Sequence, residues 1–174
     1  MKRVLLTWVC ACFALTLVAK PALAQPKPGA EHEMLKKFEG DWDATVSMMG
    51  TESKATAKYK VGMGGFWLTL DFKGDFGGMP FEGKGLTGYD PRKKKYVSTW
   101  ADSMEPWLMV MEGEFSNDGK TYTEAGEGPG PDGNLQKMKS VCDFKDKDTI
   151  VFTMYQVEAG KDQEMMKITY KRKK

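Results

Sequence analysis

The sequence predicts an all-β fold of about ten antiparallel strands, joined as a meander and closed into a barrel. Three observations predict it. From Trp42 onward the apolar residues recur with a period of two rather than 3.6. Nine turn signals cut the chain into short runs. No interval between them is long enough for a crossover helix.

The elements follow in chain order. Met1-Lys2-Arg3 is a basic start, Val4 to Ala19 is apolar, and Ala22-Leu23-Ala24 supplies the small residues a signal peptidase needs. Residues 1–24 are therefore expected to be a signal peptide cut before Gln25. The apolar run is shorter than the roughly 20 residues that cross a bilayer, which argues against a retained anchor. The protein is expected to be exported, to the periplasm or out of the cell. Residues 25–30, with Pro26, Pro28 and Gly29, are expected to be a disordered lead, and 31–174 a single barrel domain. In Glu31 to Phe38 the apolar Met34, Leu35 and Phe38 fall at helical spacing, with acids first and Lys36-Lys37 last, as the helix dipole prefers. This short helix is expected to cap the domain and to end at Gly40.

The strand faces then read in sequence. Trp42, Ala44, Val46 and Met48 share one face, as do Ala55, Ala57, Tyr59 and Val61, and then Phe66, Leu68, Leu70 and Phe72. Phe81 to Tyr89 is interrupted by Gly83, Gly85 and Gly88, a pattern that marks bending or close backbone approach. Tyr96 to Asp102 follows, and Trp107, Met109, Met111, Gly113 and Phe115 make the next face. Tyr122 to Ala125 is short. Met138, Ser140, Cys142 and Phe144 share a face, Ile150 to Val157 is apolar on both, and Met166, Ile168 and Tyr170 close the series. A meander this long must hide its two edge strands, and closure removes them. A two-sheet sandwich is the alternative, disfavoured by the absence of long Greek-key returns.

Composition narrows the function. Without Lys2, Arg3 and Lys20 the 26 basic residues become 23 against 24 acidic ones, a net charge of about −1. Nucleic-acid binding calls for a basic excess on one face, so no nucleic-acid partner is expected. Cys10 and Cys12 leave with the signal, so Cys142 has no partner for an intramolecular disulfide and reads as a small buried apolar group.

Gly40-Asp41-Trp42 after a short helix resembles the Gly-x-Trp start of lipocalin-type (calycin) barrels, in which the tryptophan packs across the closed end. A more specific resemblance is to a bacterial family, a domain of unknown function with a calycin-like barrel. It is carried by Glu31-His32, Gly40-Asp41-Trp42, Phe81-Glu82-Gly83, Gly88-Tyr89-Asp90 and Trp100-Ala101-Asp102-Ser103. It implies the fold, with His32, Gly40, Trp42, Gly88, Tyr89, Asp90 and Ser103 as structural motif positions. It implies no activity.

The candidate sites are weighed on chemistry. Twelve methionines remain after Met1, and Met48, Met109, Met111, Met138, Met154 and Met166 lie on inward-reading faces. Methionine is unbranched and polarizable, so such a wall can re-pack around an irregular ligand or simply fill a core. The ligand reading adds Phe66, Leu68, Trp100, Trp107 and Phe152 to the lining. Met109 and Met111 could share a soft metal ion, but no histidine or second cysteine supports it, and no metal or cofactor is expected. His32, the only histidine, is expected to bond the backbone at the helix start rather than to hold haem. Asp102 is either turn chemistry or a polar anchor at the barrel mouth. It has no evident catalytic partner, so no enzymatic constellation is expected. Glu112 and Glu114, about 7 Å apart on one face, read as solvated. The sequence favours binding of a small lipophilic molecule inside the barrel. An envelope interaction protein, using an outward stripe of Val151, Thr153, Tyr155 and Val157, is the alternative, and an enzyme on a lipophilic substrate comes third.

Overall fold

The computed structural model describes residues 26–130 and 133–174. The expected signal peptide lies outside the described residues. Residues 26–29 are exposed and irregular, and lead into α1 (Ala30–Leu35). The helix is shorter than its apolar spacing suggests. Lys36, Lys37 and Phe38 donate their amides to Glu33, Met34 and Leu35, tightening the last turn to an i→i−3 pattern. That turn places both Leu35 and Phe38 under the barrel, where they are buried.

Ten strands follow: β1 (Gly40–Met48), β2 (Thr51–Gly62), β3 (Trp67–Phe76), β4 (Met79–Asp90), β5 (Lys95–Asp102), β6 (Met109–Phe115), β7 (Thr121–Pro129), β8 (Leu135–Asp146), β9 (Thr149–Glu158) and β10 (Lys161–Arg172). Each pairs antiparallel with its sequence neighbour, and β1 pairs with β10, so the sheet is a closed barrel and not a sandwich. At the seam Trp42 faces Arg172, Ala44 faces Tyr170 and Val46 faces Ile168. Gly40 opens β1 at φ +131°, a conformation that side chains rarely adopt, and a Cβ there would collide with the Arg172 guanidinium.

The interior has two unlike halves. At the helix end it is a packed aromatic cluster: Phe38 lies 4.9 Å from Phe144 and 5.4 Å from Tyr59, and Phe115 lies 4.8 Å from Tyr122. Trp42 is 0% exposed, donates its indole N–H to the Phe38 carbonyl at 2.8 Å, and carries the Arg172 guanidinium 4.0 Å above its ring. Tyr96 donates its hydroxyl to the Glu31 carbonyl at 2.8 Å, tying α1 to the wall. The tryptophan thus packs at the closed end, as the resemblance implies. At the opposite end the inward side chains Phe76, Phe81, Trp100, Met109, Met154 and Met166 are only half-buried.

The outer wall is polar. Lys58 pairs with Asp41 at 3.9 Å, Lys73 with Glu82 at 3.0 Å, and Lys93 and Lys95 pair with Glu112 and Glu114. A membrane-spanning barrel carries an apolar outer belt instead. Among the described residues no helix is long and apolar enough to cross a membrane. The outward stripe on β9 is not a bare face: Thr153 is buried, and Lys139 on the neighbouring strand lies 5.7 Å over the Tyr155 ring.

Two expected lining residues sit elsewhere. Phe66 falls in the short connection before β3 and packs edge-on to His32 at 5.1 Å, at the helix end. Trp107 lies in the β5–β6 connection rather than on a strand and is 40% exposed. The period-two run that carried it onto the β6 face starts only at Met109, because Pro106 interrupts the ladder before it.

Candidate functional site

Halfway along β7 the barrel holds a carboxylate inside it. The strand alternates Tyr122, Glu124, Gly126 and Gly128 toward the interior. Glu124 Oε2 accepts hydrogen bonds from the Ser98 hydroxyl at 2.7 Å and the Tyr122 hydroxyl at 2.9 Å, and Oε1 accepts one from the Ser140 hydroxyl at 3.1 Å. Ser140 is 0% exposed, and Ser98 and Tyr122 are buried with it, whereas Glu124 itself is half-buried. Among the described residues Glu124 forms no ion pair.

The backbone makes this reach possible. Ser98 belongs to β5 and Glu124 to β7, with β6 between them, and the β6 residue opposite Glu124 is Gly113. A Cβ on Gly113 would stand 2.6 Å from the Glu124 Cβ, so the missing side chain is what lets the carboxylate lie across β6. Burial, with the Glu124 charge and its hydrogen bond added, pushes the Tyr122 hydroxyl well above the ordinary phenol range, so it remains a donor. Burial first, and the Glu124 charge second, also push the Cys142 thiol up, which leaves it inert.

Glu124 marks the boundary between the two halves of the interior. Ser140 and Glu124 continue a belt that runs in strict register from Met48 through Met166 and Met154. One pair nearer the open end, Met111, Gly126 and Met138 are in register, and Met109 and Met138 both come within van der Waals reach of a Cβ built on Gly128. Leu68 is buried on β3, and Phe152 is half-buried on β9 opposite Cys142 and Ile168. Of the expected lining, Met48, Trp100, Met109, Met154 and Met166 lie toward the open end, with Met111 and Met138 buried just below them, whereas Trp107 stands on the rim outside the lining and Phe66 lies at the helix end.

The motif residues explain one another. Trp100 lies over Gly83, where a Cβ would stand 2.2 Å from two carbons of its six-membered ring. Its Nε1–H donates to Asp102 at 2.9 Å, while the other Asp102 oxygen accepts from the Met104 and Glu105 amides at 2.9 and 3.1 Å. Both oxygens are thus engaged in holding the indole and the start of the next loop. Ser103 clasps Glu82 through its amide at 2.9 Å and its hydroxyl at 3.1 Å. Gly88 leaves room for the Trp67 ring on the outer wall, and Tyr89 packs edge-on to Tyr96 at 5.2 Å. Asp90 accepts from the Arg92 amide and guanidinium, which lower its pKa to about 2. His32 Nδ1 accepts from the Gly29 amide at 3.0 Å at the helix start.

Sequence reasoning missed Glu124 because it read the strand from Tyr122 only to Ala125 and weighed Asp102, Glu112 and Glu114 as the candidate carboxylates. A signal existed: Glu124 stands two residues from Tyr122, hence on its face, and Ser140 had already been placed on an inward one. Among the described residues no three His, Cys, Asp or Glu side chains gather as a metal site. Two shallow concavities also occur, one at the rim beside Leu135, Gln136 and Glu158, the other on the outer wall among Lys58, Asp71 and Lys84. Neither is the lumen.

The chain matches no curated protein. Its fold is similar to that of the S-type phycobiliprotein lyase CPES from Guillardia theta, at 11% identity and a TM-score of 0.55, over 84% of this chain and 99% of that one. A redesigned β barrel, mFAP1, bound to DFHBI, aligns with 83% of this chain and 100% of its own at 12% identity and a TM-score of 0.42. At these identities the likeness is one of fold alone. Residues 27–172 match a family profile across nearly all of the barrel, and the chain belongs to that family, described as Protein of unknown function (DUF1579).

Proposed function

We propose that the protein is exported and binds a small lipophilic molecule in the open half of its barrel. One observation carries the reading: the inward faces are sealed at the helix end but half-exposed at the other, where Trp100, Met109, Met154 and Met166 surround the opening. Apolar wall reached by water at one end only is the form of a ligand site, and flexible methionines can yield to an incoming molecule at small cost. Titration with the neutral probe N-phenyl-1-naphthylamine is expected to quench tryptophan emission saturably, with most of the response lost in Trp100→Phe. A linear response, or one untouched by that substitution, overturns the reading.

A second reading, adsorption of the protein to a lipid surface, draws on the rim. Met49 (94% exposed), Met79, Met104, Trp107, Leu108 and Leu135 (71%) all project from the loops and strand ends around the mouth. Exposed apolar groups gathered in this way mark contact surfaces. This reading expects flotation of the protein with phosphatidylcholine vesicles and its loss in the Met49→Ser, Leu108→Ser double variant. Protein that stays in the dense fraction refutes it.

A further inference from the structure

The interior carboxylate bears on what the barrel holds. Glu124 is the one acidic side chain that the described strands place in the lumen between the sealed aromatic half and the methionine-lined opening. Lys139, which stands opposite Ala125 on the outer wall, is engaged with Asp162. A carboxylate offers about four acceptor positions, and three are taken by Ser98, Tyr122 and Ser140. Those three donors fix its orientation. Among the described residues Oε1 accepts from the Ser140 hydroxyl alone, so it can take a further donor. Gly126 and Gly128, next along β7 toward the mouth, carry no side chain of their own, and the space over them is filled by the flexible side chains of Met109, Met111 and Met138. A carboxylate, sulfate or phosphate head would meet like charge there. An ammonium would add the attraction of opposite charges to its hydrogen bond, which a neutral hydroxyl on the same carboxylate does not.

We propose that Glu124 is the head-group anchor for an amphipathic amine, whose ammonium bonds the carboxylate while its apolar chain lies among Met109, Met138, Met154 and Met166. The assignment rests on the lumen-binding reading above and names the ligand class for it. Three probes of equal chain length separate the two: decylamine, protonated at neutral pH, decanol and decanoate, each titrated calorimetrically below its micelle concentration. Decylamine is expected to bind at least tenfold more tightly than decanol, with decanoate weakest. In Glu124→Gln, which keeps the shape of the side chain, the amine's advantage over decanol disappears while the far-UV circular dichroism spectrum stays that of the native protein, showing that the barrel is intact. Equal affinity for amine and alcohol in the native protein overturns the anchor but leaves the lumen reading standing, and so does an amine preference that survives Glu124→Gln. Binding of none of the three overturns both.

Discussion

Replacement of Trp42 by alanine is expected to lower the stability of the fold by about 3–5 kcal/mol, the range for removing a buried tryptophan. Three losses coincide at this residue. Its side chain is fully buried among Leu35, Phe38 and Tyr170, so truncation opens a cavity that the barrel wall cannot collapse to fill. The Phe38 carbonyl loses its indole donor, and the turn that follows α1 is no longer tied to the barrel. The Arg172 guanidinium loses the ring beneath it at the point where the last strand meets the first. Urea denaturation followed by circular dichroism measures the effect, and Trp42→Phe, which keeps most of the volume, should cost less. A loss below about 1 kcal/mol for the alanine variant would show that the helix plug and the seam are held by other contacts.

The second large effect is expected from a smaller change. In Gly83→Ala the added methyl occupies the space of the Trp100 ring, so the indole must leave its position and with it the bond to Asp102. Overpacking of this kind costs about 1–3 kcal/mol. Tryptophan emission should shift to longer wavelength as the ring moves toward water. Gly85→Ala is the control, because its methyl meets the Leu70 side chain at 3.2 Å and not an aromatic ring. An unshifted Gly83→Ala spectrum would mean that Trp100 does not rest on Gly83 in solution.

These two residues show where motif positions obtain their meaning. Gly83 and Trp100 stand in separate motifs, seventeen positions apart, and nothing local connects them. In the barrel they lie on adjacent strands, Gly83 opposite Asp102 and Gly85 opposite Trp100, so one motif is the floor and the other the ring that lies on it. Asp102 was readable as turn chemistry because an aspartate before a loop accepts nearby amides. That it also holds the indole followed only from where the strand delivered Trp100.

The strands, their number and their closure were legible from the chain because alternation and turn chemistry are local, and because an unpaired edge on a ten-strand meander is costly enough to leave closure as the favoured outcome. The plugging helix and the buried Trp42 were legible for the same reason. The interior carboxylate was not. Its partners come from β5, β7 and β8, and its reach depends on a glycine in β6 that reads in sequence as a gap in an apolar face. Hydrogen bonds across a barrel are made between strands whose spacing in the chain carries no period. Only the closed wall could bring Ser98, Tyr122 and Ser140 to one carboxylate, and only its open end decided which of the methionines meet water.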